Sequence, residues 1–200
     1  GSYLKLPDGA GRSPINWSIR LGKKKIYHHL FKYDHSIDNG DIFELFKINI
    51  KENEYFKDIK IKINKHILNS SLRLIKSIQN KKLVLKRQIK KKKKIIFPKI
   101  TFDDCKIISQ EMSIKIVYDL IRSASHPFKG SYFSKNSKKI LIIFKSTIKN
   151  PGKQFKNLKT GSLFFYNKFY YLKLKNGFLR INEYKLICKK SDISKEIICD

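Results

Sequence analysis

Acidic residues are scarce in this chain. Asp and Glu number 16 against 45 Lys and Arg in 200 residues, a formal net charge of +29. That imbalance excludes a surface of balanced sign. It points to nucleic acid or to an anionic membrane surface as partner. A second explanation stays open beside it. The chain is crowded with Lys, Ile, Asn, Phe and Tyr, whose codons are A/T-rich, and compositional drift would raise the charge without selecting a partner. Cysteine is also rare. Cys105, Cys188 and Cys199 are odd in number and widely spaced, which excludes a zinc knuckle and a disulfide framework and fits a reducing cytoplasm. No apolar run approaches the ~18 residues of a membrane helix, and no segment reads as a signal peptide. The chain opens on Gly-Ser and not on Met, which predicts a processed, tagged or partial chain.

With only 9 glycines and 5 prolines, the places these residues occupy carry information. Pro7 and Gly9 make residues 3–12 a loop. Ser13 is placed to cap a helix that Pro14 starts and Gly22 ends, predicted over Ser13–Leu21. Lys25–Tyr33 alternates as a strand. Asp34, Asp38 and Asp41 then fall within eight residues, around Asn39-Gly40, which favours a tight reversal. Turn chemistry alone would account for those carboxylates. A second strand is predicted over Ile42–Ile50. Phe56, Ile59, Ile63, Ile67, Leu74 and Ile78 recur at helical spacing and predict a long amphipathic helix over 54–79. Strand, turn, strand and long helix suit the second half of an α/β nucleotide-type domain, with too few strands for a doubly covered parallel sheet.

Residues 81–99 read as a linker. The run Lys90–Lys94 repels itself and predicts an extended, solvated tether, with a phosphate-contacting strip as the alternative. A second unit begins at Thr101. A short helix is predicted over Ser113–Ala124. Strands follow near 131–134, 139–147, 162–166, 169–175 and 178–184, with Asn176-Gly177 as a hairpin turn. Many short strands after one helix predict a small antiparallel barrel. In Phe164–Lys175 aromatics interleave with lysines. This is either a base-stacking face or a strand pair with an apolar core side and a charged outer side.

The motifs resemble a known family. Gly11-Arg-Ser-Pro-Ile-Asn-Trp17, then Ile37-Asp-Asn-Gly-Asp-Ile42, look like segments of the 10-formyltetrahydrofolate-dependent formyltransferases. That family includes methionyl-tRNA formyltransferases and amino-sugar N-formyltransferases. Downstream, Thr101-Phe-Asp-Asp104 resembles the T-P-E-D opening the family's C-terminal domain. Leu120-Ile-Arg-Ser-Ala-Ser-His-Pro-Phe-Lys-Gly130 resembles its I-R-A-x-x-H-P-x-P-G. The resemblance covers roughly residues 1–185. It implies an α/β partial formyltransferase (Rossmann-like) domain followed by a small antiparallel β-barrel (OB-like) C-terminal domain. The implied division is 1–80 for the C-terminal half of the catalytic domain, 81–98 for the basic linker, 99–188 for the barrel and 189–200 for a tail.

Formyl transfer to an amine needs a deprotonated nucleophile, a stabilised oxyanion and a proton for the leaving nitrogen. The family uses an Asn-x-His pair and an Asp for these tasks. The resemblance places the catalytic Asp at Asp38, and the family's Asn and His ahead of Gly1. It implies a 10-formyltetrahydrofolate pocket lined by Tyr33, Asp34, Ser36, Ile37, Asn39 and Gly40. The implied acceptor is the amino group of methionyl-tRNA. A nucleotide-linked amino sugar and a non-catalytic RNA-binding remnant are the alternatives. Lys24–Leu30 departs from the family's E-T-G-V-T-L, with Tyr27-His28-His29 in its place. Adjacent on a strand, His28 and His29 point to opposite faces and cannot act as a pair. His35 and His66 read as solvated, His126 as structural. No metal constellation is present.

Overall fold

A computed structural model of the protein describes residues 1–35, 38–89, 91–136 and 139–187. The expected tail 189–200, Cys188 and Cys199 lie outside these residues. The chain divides into two compact units, Gly1–Ile100 and Thr101–Asp200.

The first unit runs β1 (Ala10–Gly11), α1 (Pro14–Arg20), β2 (Lys25–Phe31), β3 (Ile42–Asn49), α2 (Phe56–Gln79) and β4 (Ile96–Phe97). Pro14 opens α1 as its spacing predicts, but Ser13 does not cap it. Ser13 adopts a left-handed φ of 59° and its side chain makes no cap hydrogen bond. The Ser18 hydroxyl instead accepts from the Tyr3 N–H and donates to the Pro14 carbonyl, fixing α1 to the N-terminal loop. β2 and β3 pair antiparallel from Lys25↔Asn49 to Phe31↔Ile42, with an irregularity at Leu30/Phe31 beside the acidic turn. Ile19, Ile26, Ile48, Ile50, Ile59 and Ile63 form the core beneath α2.

The apolar period of α2 is buried only in its first half. Twenty-four residues span about 36 Å, whereas the two-stranded sheet β2–β3 covers the helix only as far as Ser70. There the Ser70 hydroxyl donates to Glu44 Oε2 at 2.5 Å and Arg73 donates to Glu44 Oε1 at 2.6 Å. Beyond that clamp Leu72, Ile75 and Ile78 are exposed.

Residues 81–100 differ from an extended tether. The segment runs along the first unit through a series of anchors. Lys86 bridges Ile42, Gln88 is buried, and β4 pairs parallel with β1. The Asp8 carboxylate takes Lys91 as an ion pair and accepts from the Ile95 N–H. Trp17 Nε1 donates to the Pro98 carbonyl at 2.9 Å and stacks on Phe97. Charge repulsion along Lys91–Lys94 is overridden because these residues and their neighbours find partners on the loop 3–12 and on residues 38–42, while Lys90 lies outside the described residues. Gly11 has to be glycine there. A Cβ would lie 2.5 Å from the Phe97 carbonyl, and φ is +105°.

The second unit carries α3 (Ile114–Ala124), β5 (Ser131–Asn136), β6 (Lys139–Ile148), β7 (Leu163–Tyr166), β8 (Phe169–Leu174) and β9 (Gly177–Ile187). The strands form one antiparallel sheet in the order β5-β6-β9-β8-β7. Among the described residues no ladder joins β5 to β7, so the sheet is open and a closed barrel is not found. Register shifts between Ile143 and Ser146 bend β6 against β9. Val117, Leu120 and Ile121 of α3 are buried. Ser113 Oγ accepts from the Ile116 N–H, and Asn176 of the hairpin turn accepts from the Ile114 N–H at 2.8 Å, so turn and helix start are one structure. The Thr101-Phe-Asp-Asp104 motif is a local cap, in which Asp104 accepts from both the N–H and the hydroxyl of Thr101. Within the second motif His126 stacks on Phe144 and its Nε2 meets Glu183 at 2.9 Å.

Candidate active site

The loop between β2 and β3 is shaped by backbone before side chains enter. Asp38 holds a left-handed φ of 55°, a conformation that Asp tolerates better than bulkier residues. Gly40 follows against the end of β2. A Cβ on Gly40 would lie 1.4 Å from the Lys32 carbonyl oxygen, so only glycine fits. The Lys32 N–H donates to the Asp41 carbonyl at 2.8 Å, which closes the loop. From the segment after α2, the Gln88 amide donates to the carbonyls of Asp38 (3.2 Å) and Gly40 (2.5 Å). Lys94 donates to Asn39 Oδ1 at 3.2 Å.

A cleft of about 60 Å³ opens under this loop. Asp38, Asp8, His29 and Ser2 bring the polar side chains, with Asp8 already held by Lys91 and the Ile95 N–H, and Leu4, Leu6, Pro14 and Phe31 supply apolar wall. His29 is 9% exposed, and its Nε2 accepts from the Leu6 N–H at 3.3 Å. That bond requires the neutral ring with its proton on Nδ1. Burial pushes His29 down to about 4. His28, on the other face of β2, stacks on Phe46, which in turn stacks on His66. The opposite orientation of the two histidines follows from strand alternation. The role of His29 as a cleft residue does not, because it depends on residues 4–6 folding back over β2.

The other expected pocket residues are dispersed. Tyr33 is 85% exposed. Asp34 Oδ1 accepts from the His35 N–H at 2.7 Å. Asn39 and Gly40 shape the loop and do not line the cleft. Ser36 and Ile37 lie outside the described residues. Gln88 was missed by sequence reasoning, since a glutamine in a lysine-rich stretch carries no periodic signal. Among the described residues no group of His, Cys, Asp and Glu could hold a metal ion. None of the described helices is long and apolar enough to cross a membrane.

No family model matches the sequence, and no curated protein does. Solved structures do match. HypX from Aquifex aeolicus in complex with tetrahydrofolic acid superposes with a TM-score of 0.73 at 13% identity, over 96% of this chain and 34% of its own. The methionyl-tRNA formyltransferase from Clostridium thermocellum gives 0.65 at 20% identity, over 94% of this chain and 67% of its own. The N-formyltransferase from Helicobacter canadensis in complex with folinic acid and dTDP-3-aminofucose gives 0.62 at 20% identity, over 92% and 65%. This chain has their fold. It spans about a third of the length of HypX.

Two outcomes follow from the site's geometry. Gln88→Leu is expected to strip the loop carbonyls of their buried donor and to cost about 1–3 kcal/mol of local stability. Amide exchange of residues 38–41 should then rise while exchange in the second unit stays unchanged. The second outcome concerns pH. An unfolded His29 takes up a proton near pH 6.5, whereas the folded one resists until about 4. Between those values the unfolded chain binds more protons, so stability falls as pH falls through that window. The unfolding midpoint of the first unit should drop between about pH 7 and about pH 4. His29→Gln, which keeps an acceptor for Leu6, should lessen the drop.

Proposed function

We propose that this chain is part of a 10-formyltetrahydrofolate-dependent formyltransferase and that Asp38 is its catalytic carboxylate. The observation that carries this reading is the Asp38 loop. It is a left-handed turn locked by Gly40 and Gln88, beside a buried neutral histidine, in a fold shared with formyltransferases. The cleft fits the reacting end of the donor, because about 60 Å³ admits a formyl group and its nitrogen but not a pterin ring. Residues 33–40, Ser36 and Ile37 included, are proposed to border the pterin outside it. Bound there, the donor supplies the activated one-carbon group.

Asp38 accepts a proton at the cleft and orients a neighbouring donor. Leu4, Leu6, Pro14 and Phe31 keep water from the formyl carbon. The Asn and His of the family pattern fall ahead of Gly1, so the reading concerns the protein of the whole reading frame. The second unit is proposed as the C-terminal barrel-like domain of that enzyme, and 81–98 as the connection between them.

For the acceptor we propose methionyl-tRNA, in the cytoplasm. Support comes from the net charge of +29 and from a row of aromatics across β7, β8 and β9. There Phe165, Tyr170 and Tyr184 stand edge to face at 5.1 and 5.3 Å. Phe165 and Tyr184 are exposed and Tyr170 is half-buried, and exposed aromatics in a lysine-rich chain suit unpaired bases and phosphates. A nucleotide-linked amino sugar needs neither feature. The test offers methionyl-tRNA and a dTDP-linked amino sugar in parallel to the protein of the whole reading frame, with 10-formyltetrahydrofolate. Formylation of methionyl-tRNA alone supports the assignment. Formylation of the sugar alone overturns the acceptor, and RNA binding with no folate binding would leave a non-catalytic RNA-binding module.

A further inference from the structure

The second unit holds a cavity of about 490 Å³ that the formyl-transfer reading does not use. Its walls are the segment 106–110, the middle of β5 and the turn 159–162. Its size lies in the range of small-molecule sites. Its lining has a single charge sign. Lys106 and Lys159 border it, and no carboxylate does. Neither lysine takes part in an ion pair among the described residues. Hydroxyls accompany them. Ser109, 2% exposed, Thr160 and Ser162 all line the cavity, and the Ser109 hydroxyl donates to Gln110 Oε1 at 3.1 Å.

The turn is built to come close. Gly161 has a φ of +86°, and a Cβ there would lie 2.7 Å from Ser109 Oγ. Its N–H donates to the Lys173 carbonyl at 2.8 Å, and the Lys173 N–H donates to the Ser162 carbonyl at 2.9 Å. The hydroxyl-bearing turn is therefore held onto β8 and pressed against Ser109. Two unpaired ammonium groups with neutral hydroxyl donors and no competing carboxylate make a site for a compact, multiply charged oxyanion. The volume exceeds what inorganic phosphate alone fills.

We propose that this cavity binds the phosphate of a small phosphate monoester, with Lys106 and Lys159 as its counter-charges and Thr160 and Ser162 as hydrogen-bond donors. A free monoester is preferred over an RNA backbone phosphate because the cavity has the volume of a small-molecule site. The test titrates the 200-residue chain with AMP, ribose 5-phosphate and inorganic phosphate by calorimetry, with adenosine and ribose as controls. A basic protein attracts anions everywhere, so a charge-matched comparison decides. Lys106→Ala/Lys159→Ala is expected to weaken the phosphorylated probes about tenfold or more. Lys149→Ala/Lys175→Ala, equal in charge but away from the cavity, should change them by less than about twofold. Thr160→Glu, which sets a carboxylate in the cavity, should reproduce the loss. Equal affinities in the two double variants, or no binding of any phosphorylated probe, overturns the proposal. So does a short RNA with hydroxyls at both ends whose binding alone depends on Lys106 and Lys159.

Discussion

Asp38→Asn in the protein of the whole reading frame is expected to lower kcat for formyl transfer by about 10²–10⁴-fold while leaving KM for the donor nearly unchanged. The argument rests on how little else the change touches. Asn is close in shape and tolerates the left-handed φ of 55° that Asp38 holds. The Asp38 carbonyl that accepts from Gln88 belongs to the backbone and survives. What disappears is the carboxylate that faces the cleft with His29. Single-turnover kinetics would separate this loss from one of binding. Full activity in the variant would remove Asp38 from the mechanism. Asp38→Ala is the less informative change, because it adds backbone strain to the loss of the carboxylate.

The second large effect is structural. Asp119→Ala is expected to destabilise the second unit by about 3–5 kcal/mol. Asp119 and Arg122 are 3% and 2% exposed, and Arg122 Nη1 donates to Asp119 Oδ1 at 2.6 Å. Lys115 reaches the same carboxylate from one turn earlier. Removing the carboxylate takes from a buried guanidinium its ion pair while it stays over the Tyr118 ring. The double change Asp119→Leu/Arg122→Leu should recover most of the loss, because it removes both buried charges together. Urea denaturation followed by far-UV signal measures both. A cost near zero for Asp119→Ala would mean that water reaches Arg122.

The elements legible in advance were those with strong local signals. The 3.6-residue period placed α2 within two residues of its observed start, and Pro14 and Gly22 bracketed α1. Asn176-Gly177 marked the β8–β9 hairpin. Arg122 of the second motif, Leu120–Gly130, proved to pair with Asp119 just before it, and that both are buried is not disclosed by residue type. Errors arose where a long-range partner decided the outcome. Ser13 has the residue type of a cap, but the loop before it needs a left-handed turn, and its hydroxyl is not used. The lysine run was read by its charge, while Asp8, Trp17 and Gly11 hold its apolar neighbours in place. Barrel closure depends on the pairing of end strands, which alternation along each strand does not specify. At the candidate site Asp38 and Gly40 were legible through motif and turn chemistry. His29 and Gln88 were not, because each enters through a contact more than 20 residues away in sequence.

The most direct measurement follows labelled formyl from 10-formyltetrahydrofolate into an amine acceptor, using the protein of the whole reading frame with methionyl-tRNA present. Stoichiometric appearance of formylated product and tetrahydrofolate is expected, at a rate that the Asp38→Asn change lowers by about 10²–10⁴-fold. Intact donor after prolonged incubation, with folded protein and both acceptor classes supplied, would contradict this reading.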